Sequence, residues 1–153
     1  MFGNWFKKAA KPQTESETAG PIDDAQLAAA ALLVEAARAD GAYDDGERDL
    51  ARALLAKQFE LDAAAAARAL EAGERAQADA VDLHRFSRIL KDALDDKARI
   101  AFVENLWMLI LSDGERHDYE DYLVRRLIGL IYVSDKDSGA ARRRAAARLG
   151  LDP

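Results

Sequence analysis

The runs ADGAYDDGERDL, residues 39–50, and SDGERHDYEDYL, residues 112–123, decide the fold because they are one pattern used twice. In each, an Asp-Gly pair is followed at fixed spacing by an aspartate, a glutamate and a leucine. The first copy holds Asp40-Gly41, Asp45, Glu47 and Leu50, and the second Asp113-Gly114, Asp118, Glu120 and Leu123. A constant shift of about 73 residues superimposes the two and goes on to match Arg52 with Arg125 and Leu54 with Leu127, as a duplicated helix-turn-helix unit requires. Each glycine suits the left-handed residue just past a helix, and the carboxylates after it suit the first turn of the next.

Working outward, the remainder of the chain reads as helix. Half of its 153 residues are hydrophobic, enough for one domain with a sizeable core. The prolines, Pro12, Pro21 and Pro153, leave the stretch 22–152 uninterrupted, and alanine-rich amphipathic segments fill it. Asp23 or Asp24 caps a first helix with an apolar stripe of Leu27, Ala30, Ala31, Val34 and Ala37. A second runs from about Gly46 to Phe59, and Asp62 caps a third, which is expected to break around 73–80. Asp82 opens a fourth. The most apolar helix follows, from about Ala98 to Leu111, and is expected at the bundle centre. Asp118 opens a sixth, with Tyr122, Leu123, Leu127, Leu130 and Ile131 inward, and Ser134 or Asp135 caps a last one that carries Arg142, Arg143, Arg144 and Arg148. The expectation is an all-α fold, a compact bundle of about seven helices in two pseudo-repeated halves.

The start of the chain is different in kind. Phe2, Trp5 and Phe6 stand beside Lys7 and Lys8, followed by a polar stretch with Pro12, Gly20 and Pro21. We therefore divide the chain into an aromatic and basic segment with a linker, residues 1–22, and a helical domain, 23–153. The start lacks the apolar run of a secretory signal, and no segment approaches the roughly 20 apolar residues of a membrane span. A cytoplasmic protein is expected, with peripheral contact to the inner face of the membrane through Phe2, Trp5, Phe6, Lys7 and Lys8 as one reading of the segment, and docking on the protein's own surface or remaining disordered as the other.

Absence of cysteine removes disulfides, thiolate metal sites and cysteine nucleophiles. A net charge of −6 opposes nucleic acid as a partner and suits a cation or a basic protein. Helix punctuation accounts for much of the acidic pattern: Asp44 and Glu47 have capping-box spacing, with Asp118 and Asp121 a weaker version. It does not account for Asp40 and Asp113, which follow a helix, where the dipole disfavours negative charge. A cation held between Asp40 and Glu47, or between Asp113 and Glu120, would. Carboxylates suit Ca2+ or Mg2+ better than Mn2+ or Zn2+. An EF-hand fails on spacing, because Ala42 and Asp45 fall where a ligand and the glycine belong. A ferritin-like site fails because neither His84 nor His117 has a glutamate three residues before it.

The runs ARADGAYDDGE, residues 37–47, and LILSDGERHDYEDYL, residues 109–123, with LIGLIYVS, residues 127–134, before a basic last helix, resemble the TerB-like family, named for tellurite-resistance proteins. The resemblance spans roughly 23–149. It implies an all-α fold, divalent metal at the pairs Asp40 with Glu47 and Asp113 with Glu120, and association with tellurite resistance and membrane-linked stress. The leading function class is then a non-enzymatic, metal-responsive module that also binds a protein partner. The alternative is a metal-independent adaptor or co-chaperone-like scaffold. No nucleophile, phosphate loop or cofactor motif points to an enzyme.

Overall fold

A computed structural model describes residues 22–39, 43–112 and 118–151, with the side chains of 118–121 outside the description. The described residues form seven helices, namely α1 (Asp24–Arg38), α2 (Asp45–Phe59), α3 (Ala63–Asp79), α4 (His84–Ala93), α5 (Asp96–Leu111), α6 (Asp118–Leu130) and α7 (Asp135–Arg148), and no strand. The expected all-α architecture is therefore the observed one.

Most starts are set by one side-chain acceptor. Asp23 accepts from the Ala25 N–H at 2.7 Å, Asp62 from Ala65 at 2.8 Å, Asp95 from Ala98 at 2.8 Å and Ser134 from Asp137 at 3.0 Å. Each satisfies one of the donors that a helix leaves unpaired in its first turn. α4 departs from expectation: it begins at His84 with Leu83 in the capping position, while Asp82 accepts from the His84 N–H at 2.9 Å.

The helices repeat as the acidic runs do. A shift of about 73 carries the end of α1 at Arg38 to the end of α5 at Leu111, and the start of α2 at Asp45 to that of α6 at Asp118. It also brings α3 into register with α7, so the repeated unit has three helices, with α4 between the copies. Packing follows this order, since α1 against α3 and α5 against α7 are the two most extensive helix pairings.

The burial pattern corrects one expectation. Nine residues of α5 are buried, from Phe102 onward, but ten of the fifteen in α1 are, including the unbroken run Ala28, Ala29, Ala30, Ala31, Leu32, Leu33 and Val34. Seven consecutive buried residues cover every face of a helix with 3.6 residues per turn. α1 accordingly contacts α2, α3, α4, α5 and α6. Alanine's small side chain lets neighbours close in from all sides, so α1 shares the centre that apolarity alone assigned to α5.

α3 supplies a second correction, because it runs through Gly73 without a break. Gly73 is buried, and a Cβ built there would lie 2.3 Å from the Ala30 Cβ and 2.8 Å from backbone atoms of Ala30 and Ala31. The glycine is a place of close helix approach, where an added methyl would enter the backbone of α1. On α6, Leu123, Val124, Leu127 and Ile128 face the core, whereas Tyr122 is exposed, contrary to expectation. Among the described residues no helix is long and apolar enough to cross a membrane.

Candidate functional site at the first acidic turn

The four carboxylates expected to hold a cation are reached unequally by the structure. Asp40 and Asp113 lie outside the described residues, as does His117. Glu120 lies on α6, in its first turn, with its side chain outside the description. Glu47 is fully described, on the third residue of α2 and only 8% exposed.

The local chemistry at Glu47 is the expected capping box. The Asp44 carboxylate accepts from the Glu47 N–H at 2.8 Å, and the Glu47 carboxylate accepts from the Asp44 N–H at 3.4 Å. The first bond is well made and the second is long. Glu47 therefore helps start α2 at the same time as it turns a buried carboxylate toward the chain entering from the Asp-Gly turn.

Around this box stands a polar clamp that sequence reasoning missed. The Tyr43 hydroxyl donates to Glu74 Oε2 at 2.6 Å, and Arg48 donates to the same carboxylate twice, from Nε at 2.6 Å and from Nη2 at 3.0 Å. A planar guanidinium matches a carboxylate edge-on in this way, the strongest common ion-pair geometry. On the other side of the turn, the Arg38 guanidinium donates to Gln77, which donates in turn to Glu35 at 2.8 Å. Arg38 also lies over the Tyr43 ring, 5.1 Å from its centroid. Residues on both sides of 40–42 are thus tied to each other and to α3.

The electrostatics agree with the geometry. Hydrogen bonding from Arg48 outweighs the effect of burial and, with the bond from Tyr43, holds the Glu74 carboxyl below its ordinary value. Burial, then the hydrogen bond to Glu74, pushes the Tyr43 phenol well above the usual phenol range. Glu74 is the charged anchor, and Tyr43 stays a neutral donor to it. The signal that could have exposed this anchor is faint: Glu74 follows Gly73, whose missing side chain lets this part of α3 approach α1 closely.

In sequence, the clamp's set of residue types is not repeated in the second copy. The same shift carries Arg38 to Leu111, Tyr43 to Arg116, Arg48 to Asp121, Glu74 to Ala147 and Gln77 to Gly150. Only the Tyr43–Arg116 pair keeps a donor, and the anchoring carboxylate of Glu74 is replaced by the methyl of Ala147. What α7 does hold is a different contact, in which Arg144 and Arg148 donate to Glu104 of α5 at 2.7 and 2.9 Å. Part of the arginine cluster therefore fastens the second helix pair.

Among the described residues, no three or more histidine or acidic side chains stand together as a metal cage. The side chains described at the first turn, Asp44, Asp45 and Glu47, offer oxygen donors alone, which fits a hard cation and not a soft one. A family model described as Tellurite resistance protein TerB matches residues 26–143, well over half of the chain. No curated protein and no solved structure matches it.

Proposed function

The chain belongs to the TerB family, and from that premise we propose that it is a non-enzymatic binding module that takes up a divalent cation at its acidic Asp-Gly turns and acts in a tellurite-linked stress response. Asp40 with Glu47, and Asp113 with Glu120, would hold the ion, with Ca2+ or Mg2+ preferred for an all-oxygen donor set. The ion would supply positive charge where carboxylates gather, and would tie the end of one helix to the start of the next. The observation that carries this reading is the clamp on the first turn. Tyr43, Arg48 and Glu74 on one side, with Arg38 and Gln77 on the other, hold the flanks of 40–42 in place, and ligands held beforehand lose less entropy when they bind.

A second reading is favoured by the capping box. Since the Glu47 carboxylate already serves the Asp44 N–H, the acidic runs can act as helix punctuation in a metal-independent adaptor that docks a protein partner elsewhere. Thermal melts separate the two. A ligand that binds only the folded state raises the melting temperature by mass action, so added Ca2+ or Mg2+ should raise it in the parent chain and not in the variant Asp40→Asn with Asp113→Asn. Unchanged melting of the parent with either ion would favour the adaptor.

A further inference from the structure

On a chain with net charge −6, one cavity is lined by cations and by no carboxylate. It measures about 220 Å3 and lies between α4 and the C-terminal end of α6, with His84, Ser87, Arg88, Lys91, Gly129 and Tyr132 around it. His84, Arg88 and Lys91 fall at successive turns of α4, which places them on one side of that helix. Arg88 is exposed and makes no hydrogen bond or ion pair among the described residues. Among the described residues two carboxylates stand beside the cluster: Asp92, exposed and 3.6 Å from the Lys91 ammonium, and Asp82, exposed and accepting from the His84 N–H at 2.9 Å. Both are solvent-screened, and neither lines the cavity, which leaves Arg88 and Lys91 as its charged lining.

The rim of the cavity holds a residue kept against its backbone preference. Tyr132 has φ of 62°, in the left-handed region, at the close of α6, where the Val133 N–H donates to the Ile128 carbonyl at 2.9 Å. Glycine fits this helix-ending position without strain, and a bulky aromatic does not. The ring gains little from burial, being 71% exposed. It instead carries the Lys91 ammonium 4.8 Å from its centroid, which orients that cation beside the cavity. Open space lies beside Gly129, where an added Cβ would meet nothing within 4 Å. A left-handed aromatic held largely exposed over a cation is a pointer to function.

We infer that this cavity binds a phosphate monoester, with Arg88 and Lys91 taking the phosphate oxygens and the Tyr132 ring covering the group attached to them. The size supports a small anion, since pockets for drug-sized ligands begin at about 300 Å3. The charge supports a dianion over a carboxylate, because two cations, Arg88 and Lys91, line the cavity and arginine pairs with phosphate in two-pronged geometry. The site lies at the far end of α6 from the second acidic turn, about 18 Å along the helix at 1.5 Å per residue, and the inference does not rest on the cation reading.

The test is an NMR titration of the full chain with inorganic phosphate. Saturable shifts are expected at the amides of 84–91 and 129–132, and Arg88→Gln with Lys91→Gln should weaken binding about tenfold or more, as loss of charge-assisted bonds requires. A second variant, Tyr132→Gly, should melt no lower than the parent yet bind more weakly, which a purely structural role for the ring would not produce. Vesicles with and without phosphatidic acid identify the source of the phosphate. Co-sedimentation that needs phosphatidic acid and is lost in the Arg88 and Lys91 variant points to a lipid headgroup, and saturation by free phosphate without co-sedimentation points to a soluble monoester. Shifts that never saturate, shifts equally large around Arg142, Arg143 and Arg144, or a double variant that titrates like the parent would overturn the inference.

Discussion

At Gly73 a single missing methyl group sets the distance between the two most extensively packed helices of the first half. Gly73→Ala gains about 1 kcal/mol of helix propensity, but the new Cβ would stand 2.8 Å from backbone atoms of α1, and backbone cannot rotate away as a side chain can. Overpacking of this kind costs about 1 to 3 kcal/mol or more, so the clash wins and the variant should melt below the parent in a denaturation series. The same position shows why a residue's role was hard to read from sequence. A glycine in an alanine-rich helix has the composition of a break, and only the neighbouring helix reveals it as a contact. Glu74, one residue on, suffers from the same illegibility, because its partners Tyr43 and Arg48 are 31 and 26 residues away. Glu74→Gln should destabilise by about 1 to 2 kcal/mol, the lower part of the range for hydrogen bonds to charged groups, since a third of the Arg48 side chain faces water. Comparing its denaturant midpoint with the parent's at unchanged slope measures the effect.

Among the elements, α7 is the least apolar partner of the core and relies on polar fastenings to α5. Trp107 donates from its indole N–H to the Ser138 hydroxyl at 3.1 Å, Arg142 lies 5.5 Å from the Trp107 ring centroid, and Arg144 and Arg148 share Glu104. Burial pushes the Glu104 carboxyl upward, but the bonds from both arginines prevail and leave it below its ordinary value. Glu104→Gln should therefore loosen α7 selectively, seen as faster amide exchange in 135–148 than in α1; equal acceleration throughout would contradict this. In the sequence, the caps and periodicity that define elements were open to reading, and Asp23, Asp62 and Ser134 serve as expected. The order of burial among helices was not. It depends on which faces other helices approach, and α1, rich in alanine, carries less apolar bulk than α5 to advertise its position. Tyr122 shows the converse: an aromatic at helical spacing with core residues still ends on the surface, 60% exposed, because α6 presents only one side to its neighbours.

For the molecule as a whole, the duplicated acidic run was the decisive signal, and the helix register extends it to three-helix units. Family membership and fold were legible because they rest on patterns repeated along the chain. The clamp was not, since its groups come from three helices and from Tyr43 ahead of α2, and its anchoring glutamate does not recur in the second copy. Glu74 and Glu104 are both held below the ordinary carboxylate value of 4.5. Stability from such groups is fully present above that value and is lost as pH falls through the lower folded-state values. Melting temperature should therefore decline on acidification below about pH 4.5, and the Glu74→Gln with Glu104→Gln variant should start lower but fall less steeply. Calorimetric titration of the full chain with Ca2+, Mg2+, Mn2+ and Zn2+ tests the proposal that the acidic turns of this TerB-family chain hold a divalent cation. Saturable heat with Ca2+ or Mg2+ in the parent, abolished by Asp40→Asn with Asp113→Asn while the fold is retained, is the predicted result; no heat with any of the four ions, or equal heat in parent and variant, would contradict it.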